Sequence, residues 1–166
     1  MKQLISIALF LVCYPIYAVT PSANEVRQLY QKAVTEEVSC NKIISILRNY
    51  NENNNPLLAG YKACAIMMMA NHVINPYTKL SNFKKGKNLL EKCIVADSKN
   101  IELRFLRFSI QTKAPSFLGY TSAINKDKLF LINSVSSTTD SKLKELIVLF
   151  LKNSENLSEA EKLKLD

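Results

Sequence analysis

An all-α fold is what this 166-residue chain predicts, and three observations carry the prediction. Glycine occurs three times and proline five, too few turn-formers for a β-sandwich or barrel, which needs punctuation about every 8–12 residues. Apolar residues recur at spacings of three and four, the period of a helix with one buried face. Capping signatures stand in front of those stretches, including Ser22 with Glu25 and Ser158 with Glu161. The 48% hydrophobic content is that of a globular chain.

The amino terminus reads differently from the rest. Lys2 is followed by an apolar run over 4–12 broken only by Ser6, then by Tyr14-Pro15-Ile16-Tyr17-Ala18. This is the pattern of a secretory signal peptide, and cleavage is expected after Ala18. The run is too short to span a bilayer, which takes about 20 apolar residues. Cys13 follows Leu11-Val12, and Val12 is bulkier than the small residue a lipoprotein signal places before its cysteine. The expected organisation is therefore a signal peptide over 1–18 and a single helical domain over 19–166. A secreted, periplasmic location follows, with no transmembrane segment left after signal removal.

The formal charge is +8, and only four of the 22 basic residues are arginine: Arg27, Arg48, Arg104 and Arg107. Readers of nucleic-acid sequence lean on the forked contacts of arginine. Dispersed lysine with interleaved glutamate describes a solvated helical surface instead, so a nucleic-acid partner is not expected. Cys40, Cys64 and Cys93 remain beyond the leader, at spacings that fit no zinc pattern. Each falls where a helix wants a small apolar residue, so buried free thiols are expected, with a single Cys40–Cys64 or Cys64–Cys93 bridge as the alternative.

Along the chain, Val26, Leu29, Tyr30, Ala33, Val34 and Val38 predict the inner stripe of a first helix. Ile43, Ile44, Ile46, Leu47 and Tyr50 predict a second. Asn51 to Asn55 is a loop, and Pro56 opens a third helix over 56–74. Only Lys62 is charged in that stretch, the mark of a helix buried on several sides. Met67, Met68 and Met69 are consecutive, so they point about 100° apart. They suit core filling better than a copper site, whose thioethers must converge.

Asn75-Pro76 begins a fourth helix over 77–96 with Leu80, Phe83, Leu90, Cys93 and Ile94 inward. Gly86 lies in that strip and predicts a close helix contact. Asn100 caps a fifth helix over 101–113. There Leu103, Leu106 and Ile110 share one face, Ile101, Phe105 and Phe108 another, and a polar strip of Arg104, Arg107 and Gln111 runs between. A turn over 114–120 carries the aromatics Phe117 and Tyr120, both expected at the surface. Helices over 121–134 and from Asp140 follow, the latter with Leu143, Leu146, Ile147, Phe150 and Leu151 inward, and a short helix ends at Leu165.

One segment has a familiar form. Phe83-x-x-Gly86, then Leu90-x-x-Cys93-Ile94-Val95-Ala96-Asp97-Ser98-Lys99-Asn100, resembles the second helix and exit turn of a tetratricopeptide repeat. Cys93 stands where that family has alanine, and Ser98 where its Asp-Pro-x-Asn turn has proline. The preceding helix has the small residues Ala59 and Ala63 but lacks the Trp, Leu-Gly and Tyr series. The resemblance covers about forty residues. It implies a short α-solenoid of seven to eight helices, a right-handed stack of antiparallel hairpins, with a concave face for partners.

No catalytic constellation accompanies the fold. His72 is the only histidine, beside Asn71 at the end of the third helix, and reads as structural. Three scattered glycines draw no phosphate-cradling loop. No cofactor and no metal is expected. The binding candidates are Arg104, Arg107 and Gln111, with Asn71, His72, Tyr120 and Tyr77 lining the same groove by helix order. Arg104 and Arg107 either grip a carboxylate or phosphate or pair with acids of a neighbouring hairpin, such as Glu91 or Glu102. The expected function is a non-enzymatic binding or scaffold module whose partner is another envelope protein or peptide. The alternatives are a small envelope enzyme and a carrier of an anionic or hydrophobic small ligand.

Overall fold

The computed structural model describes residues 20–165. The signal peptide expected over 1–18, with Lys2, Cys13 and Ala18, lies outside the described residues. Eight α-helices occur among them: α1 Ala23–Ala33, α2 Glu37–Ile46, α3 Pro56–Met68, α4 Pro76–Ala96, α5 Ile101–Lys113, α6 Ile124–Ser134, α7 Ser141–Lys152 and α8 Glu159–Lys162. Single 3-10 turns extend α3, α6 and α8 and interrupt the α5–α6 loop.

Caps set most helix starts. Ser22 and Ser158 each close a complete capping box with Glu25 and Glu161. Asn55, Asn75, Asn100 and Asp140 accept from the first-turn amides of α3, α4, α5 and α7, satisfying donors that have no partner within the helix. Pro56 and Pro76 occupy first-turn positions where their missing N–H costs nothing.

Helices pack mainly on their neighbours along the chain, and α1 also lies on α3, α3 on α5, and α5 on α7. α3 and α4 form the most intimate pair. A side chain at Gly86 would place its Cβ 2.4 Å from the Ala63 carbonyl oxygen and 2.5 Å from Met67, so glycine there is what lets the two backbones meet.

The interior divides into two apolar clusters. The first gathers α1 to α4 around Tyr61, Ile43, Leu47, Leu90 and the buried Cys40, Cys64 and Cys93, all three free thiols. Met67 and Met68 are buried in it and Met69 packs against it. The second joins Leu131, Ile132, Ile147 and Leu151 of α6 and α7. α5 is the wall between them, giving Leu103 and Leu106 to the first and Phe105 and Phe108 to the second. Each of these large side chains contributes about 1.5–3 kcal/mol by leaving water.

Several local expectations are corrected. α1 ends at Ala33, where the amides of Thr35 and Glu36 turn back to the Lys32 carbonyl. Val34 and Val38 therefore lie outside the inner stripe, 55% and 80% exposed. α3 ends at Met68 rather than near 74, and Ile74 is 95% exposed. Leu80 is exposed rather than inward. In the α5–α6 loop, Phe117 is exposed as expected but Tyr120 is buried. Its ring meets Phe83 edge-on at 5.9 Å.

Candidate functional site

The polar strip of α5 points at acids. Arg107 donates through Nε and Nη2 to the two oxygens of Asp127 at 2.6 and 2.8 Å, and through Nη1 to Glu91 at 2.7 Å. Arg104 donates Nη1 to Asp127 at 2.8 Å and Nε to the Ser98 carbonyl at 3.1 Å. Its guanidinium stands 5.3 Å from the Phe130 ring centroid. Two rigid forks thus converge on one carboxylate that is wholly buried, the arrangement that suits arginine and not lysine. Burial alone would lower the Arg107 pKa, but the bonds and charge of Asp127, then Glu91, raise it above its ordinary value. Tyr120 donates to the second oxygen of Glu91 at 2.5 Å; burial and then that carboxylate hold its phenol protonated.

Gln111, one turn beyond Arg107, is 2% exposed, and neither its amide nitrogen nor its oxygen has a hydrogen-bond partner. Asn71 is exposed, and His72 sits half-buried with Nε2 3.3 Å from the Ala33 carbonyl. Cys40 donates to the same carbonyl at 3.2 Å. His72 thus closes the end of α1 and does not join the α5 strip, and Tyr77 projects into solvent, 83% exposed. Of the residues anticipated as one groove, Arg104, Arg107 and Tyr120 are brought together, through Asp127 and Glu91.

A second buried network joins elements far apart in sequence. Arg27 of α1 forks onto Glu102 of α5 at 2.5 and 2.9 Å and reaches Asp140, the cap of α7, at 2.8 Å. Tyr61 of α3 donates to the same Glu102. The Arg27 pKa is raised, first by the Glu102 hydrogen bond. Nearby, Tyr30 bonds Ser109 at 2.8 Å, and Ser109 gives its own proton to the Leu106 carbonyl at 2.9 Å, so Tyr30 is the donor. Burial raises the pKa of Tyr30 and of Tyr61, keeping both phenols protonated.

Beside this network lies an open groove of about 760 Å³ between α1, α5, α6 and α7. Arg27, Glu102 and Asp140 form part of its lining, Ile101, Phe130 and Leu143 supply apolar surface, and Ser134, Ser137, Thr138 and Thr139 supply hydroxyls. The thiols are elsewhere and inert: burial pushes Cys40 up to about 11 and Cys93 up to about 12, and Cys64 higher still. A thiol in that state is a packing group, since the thiolate is the nucleophile. No cluster of metal-ligating side chains occurs among the described residues.

Sequence reasoning missed Asp127 and Arg27. Both sit inside an apolar stripe: Ile124, Asp127 and Leu131 on α6, and Ala23, Arg27 and Tyr30 on α1. A single charge at an inward position of a helical repeat is the signal that marks each. No described helix is long and apolar enough to cross a membrane. The molecule is an all-helical protein of eight helices among its described residues. The chain matches no protein-family model, no curated protein and no solved structure.

Proposed function

We propose that this protein is a secreted, periplasmic binding or scaffold module without enzymatic activity, built as a short tetratricopeptide-like stack of antiparallel helix hairpins. The observation that carries the reading is the open groove of about 760 Å³ between α1, α5, α6 and α7, large enough to receive part of a partner. Its lining mixes apolar side chains with hydroxyls, the combination that fixes an extended segment by both contact and hydrogen bonds.

The succession α1, α3, α5, α7 supports the stack, because in a tetratricopeptide-like solenoid the first helices of successive hairpins line the concave face. Here Tyr30–Ser109 and Arg27–Glu102 bring α1 against α5 across α3. That face is therefore closed beside the first and second hairpins and stays open only toward α7. The partner in this reading is an envelope protein or peptide, and it enters on the α7 side.

A photo-crosslinking residue at Thr139, exposed within the groove, tests this in the exported protein. The expected result is a discrete adduct that disappears when Ser137→Trp fills the groove, with the circular dichroism unchanged. The same probe at Lys92, exposed on α4, serves as the control. Identical adducts from Thr139 and Lys92, or adducts indifferent to Ser137→Trp, overturn the reading.

A further inference from the structure

The corner where α3 turns into α4 has a chemistry the groove does not use. Ile74 is 95% exposed, Tyr77 83% and Phe117 of the α5–α6 loop 84%. Large apolar groups this open are ordinary singly and informative only when gathered into one patch. Phe117 belongs to the same corner because α4 and α5 run antiparallel: Glu91 meets Arg107 while Phe83 meets Tyr120. The loop after α5 therefore comes level with the first turns of α4. It is fixed there by Tyr120 on Phe83 and Glu91, by Lys87 5.0 Å from the Tyr120 ring centroid, and by Leu118 packed on the first core. Gly119, at φ +59, supplies the reversal that lets Leu118 and Tyr120 face inward while Phe117 faces out.

The charge around this corner is of one sign. Residues 71–90 contain no Asp or Glu, and neither do residues 103–126. Lys79, Lys84 and Lys85 are exposed on α4, and Glu91, the one carboxylate of that helix, is taken by Arg107 and Tyr120. The nearest acids in sequence on the α1 side are Glu36 and Glu37, the cap and first residue of α2, which follow the Ala33 carbonyl that His72 touches.

We infer that this corner docks on an anionic lipid bilayer, with Ile74, Tyr77 and Phe117 entering the headgroup region and Lys84 and Lys85, which share the outward face of α4 with Tyr77, facing the lipid phosphates. Exposed aromatic and aliphatic groups ringed by lysine are what an interfacial surface needs, and each lysine near such a surface strengthens binding roughly fivefold. The attachment is peripheral, since no described helix spans a membrane. It is independent of the groove, which opens between other helices.

Sedimentation of the full chain with vesicles tests it, using phosphatidylglycerol and phosphatidylcholine in equal parts against phosphatidylcholine alone. Every variant carries the same amino terminus, so whatever the leader contributes is common to all. The expected result is binding to the mixed vesicles, weakened by salt and reduced about twenty-five-fold in Lys84→Gln/Lys85→Gln. Ile74→Ser/Phe117→Ser is expected to lose binding with an unchanged melting temperature, because both positions are open to solvent. Equal binding by the Ile74→Ser/Phe117→Ser variant reduces the effect to bulk charge attraction and overturns the proposal. A concentration-dependent dimer abolished by Phe117→Ser, without vesicle binding, overturns it in favour of a second copy of this chain.

Discussion

Asp127 ties two arginines of α5 to α6. Its carboxylate is wholly buried and answers two guanidiniums that are themselves nearly buried. Replacing it with asparagine keeps the size and one acceptor but leaves Arg104 and Arg107 in a low-dielectric site with only Glu91 as a charged partner. Removing one member of a buried ion pair costs about 3–5 kcal/mol. Asp127→Asn is expected to lower the urea midpoint accordingly; a shift typical of a surface substitution would show that the site is wetter than its geometry implies. The strip Arg104, Arg107, Gln111 was legible in the sequence, because arginine on an otherwise apolar helix stands out. Of its partners, Glu91 was anticipated and does pair with Arg107, whereas the other anticipated acid, Glu102, is taken by Arg27. Asp127 was not anticipated, because it lies twenty residues beyond Arg107 and only the packing of α6 on α5 decides that it arrives. Gln111 was legible as polar but was expected to line a groove; the structure buries it, 2% exposed, with its amide unpaired.

Element by element, capped starts were easier to read than ends. The uncapped starts of α2 and α6 were misplaced: α6, expected from 121, begins at Ile124, and α2, expected after Ser39, begins at Glu37. Every anticipated cap holds its helix, because a side-chain oxygen three residues before an amide is local information. Ends depend on what the next turn meets. The apolar Val73-Ile74 suggested a longer α3, but a residue close before proline is steered out of the helical region, and the chain leaves through a 3-10 turn at Met69–Asn71. α8 shows how much a short helix depends on its cap. Glu161 pairs with Lys128 of α6 at 2.9 Å and accepts from the Ser158 amide, and these bonds, that of Lys128 first, hold its pKa down at about 2 against an ordinary 4.5. A folded pKa below the unfolded one stabilises fully above the unfolded value and is lost as the folded value is approached. α8 is therefore held by Glu161 above about pH 4.5 and released between about 4.5 and about 2. An NMR titration should place the Glu161 carboxyl midpoint near the lower limit, with α8 amides exchanging faster across that window. A midpoint near 4.5 would show that the Lys128 contact does not persist in solution.

At the scale of the whole molecule, the question is whether the described helices unfold one after another or together. A linear array of hairpins that touch only their neighbours loses cooperativity as it lengthens. This chain does more than touch neighbours. Arg27 is 7% exposed and ties α1 to Glu102, 75 residues away, and to the cap of α7. Tyr61 brings α3 to the same carboxylate. That convergence was not readable from the sequence, because no local pattern links positions so far apart, whereas α5 as a wall between two cores was readable from its two apolar faces. The consequence is a single unfolding transition in which circular dichroism and the near-ultraviolet tyrosine signal coincide. Arg27→Gln strands Glu102 in the interior and is expected to cost about 3–5 kcal/mol. Asp140→Asn keeps the cap of α7 and touches a carboxylate that is 44% exposed, so its cost is about 1 kcal/mol or less. The contrast between the two variants separates a buried tie from a surface one. If Arg27→Gln also splits the two signals, with tyrosine changing before helix content, then Arg27 is what makes α1 unfold with α5 and α7. If both variants behave like surface substitutions, the helices are joined by their apolar faces alone.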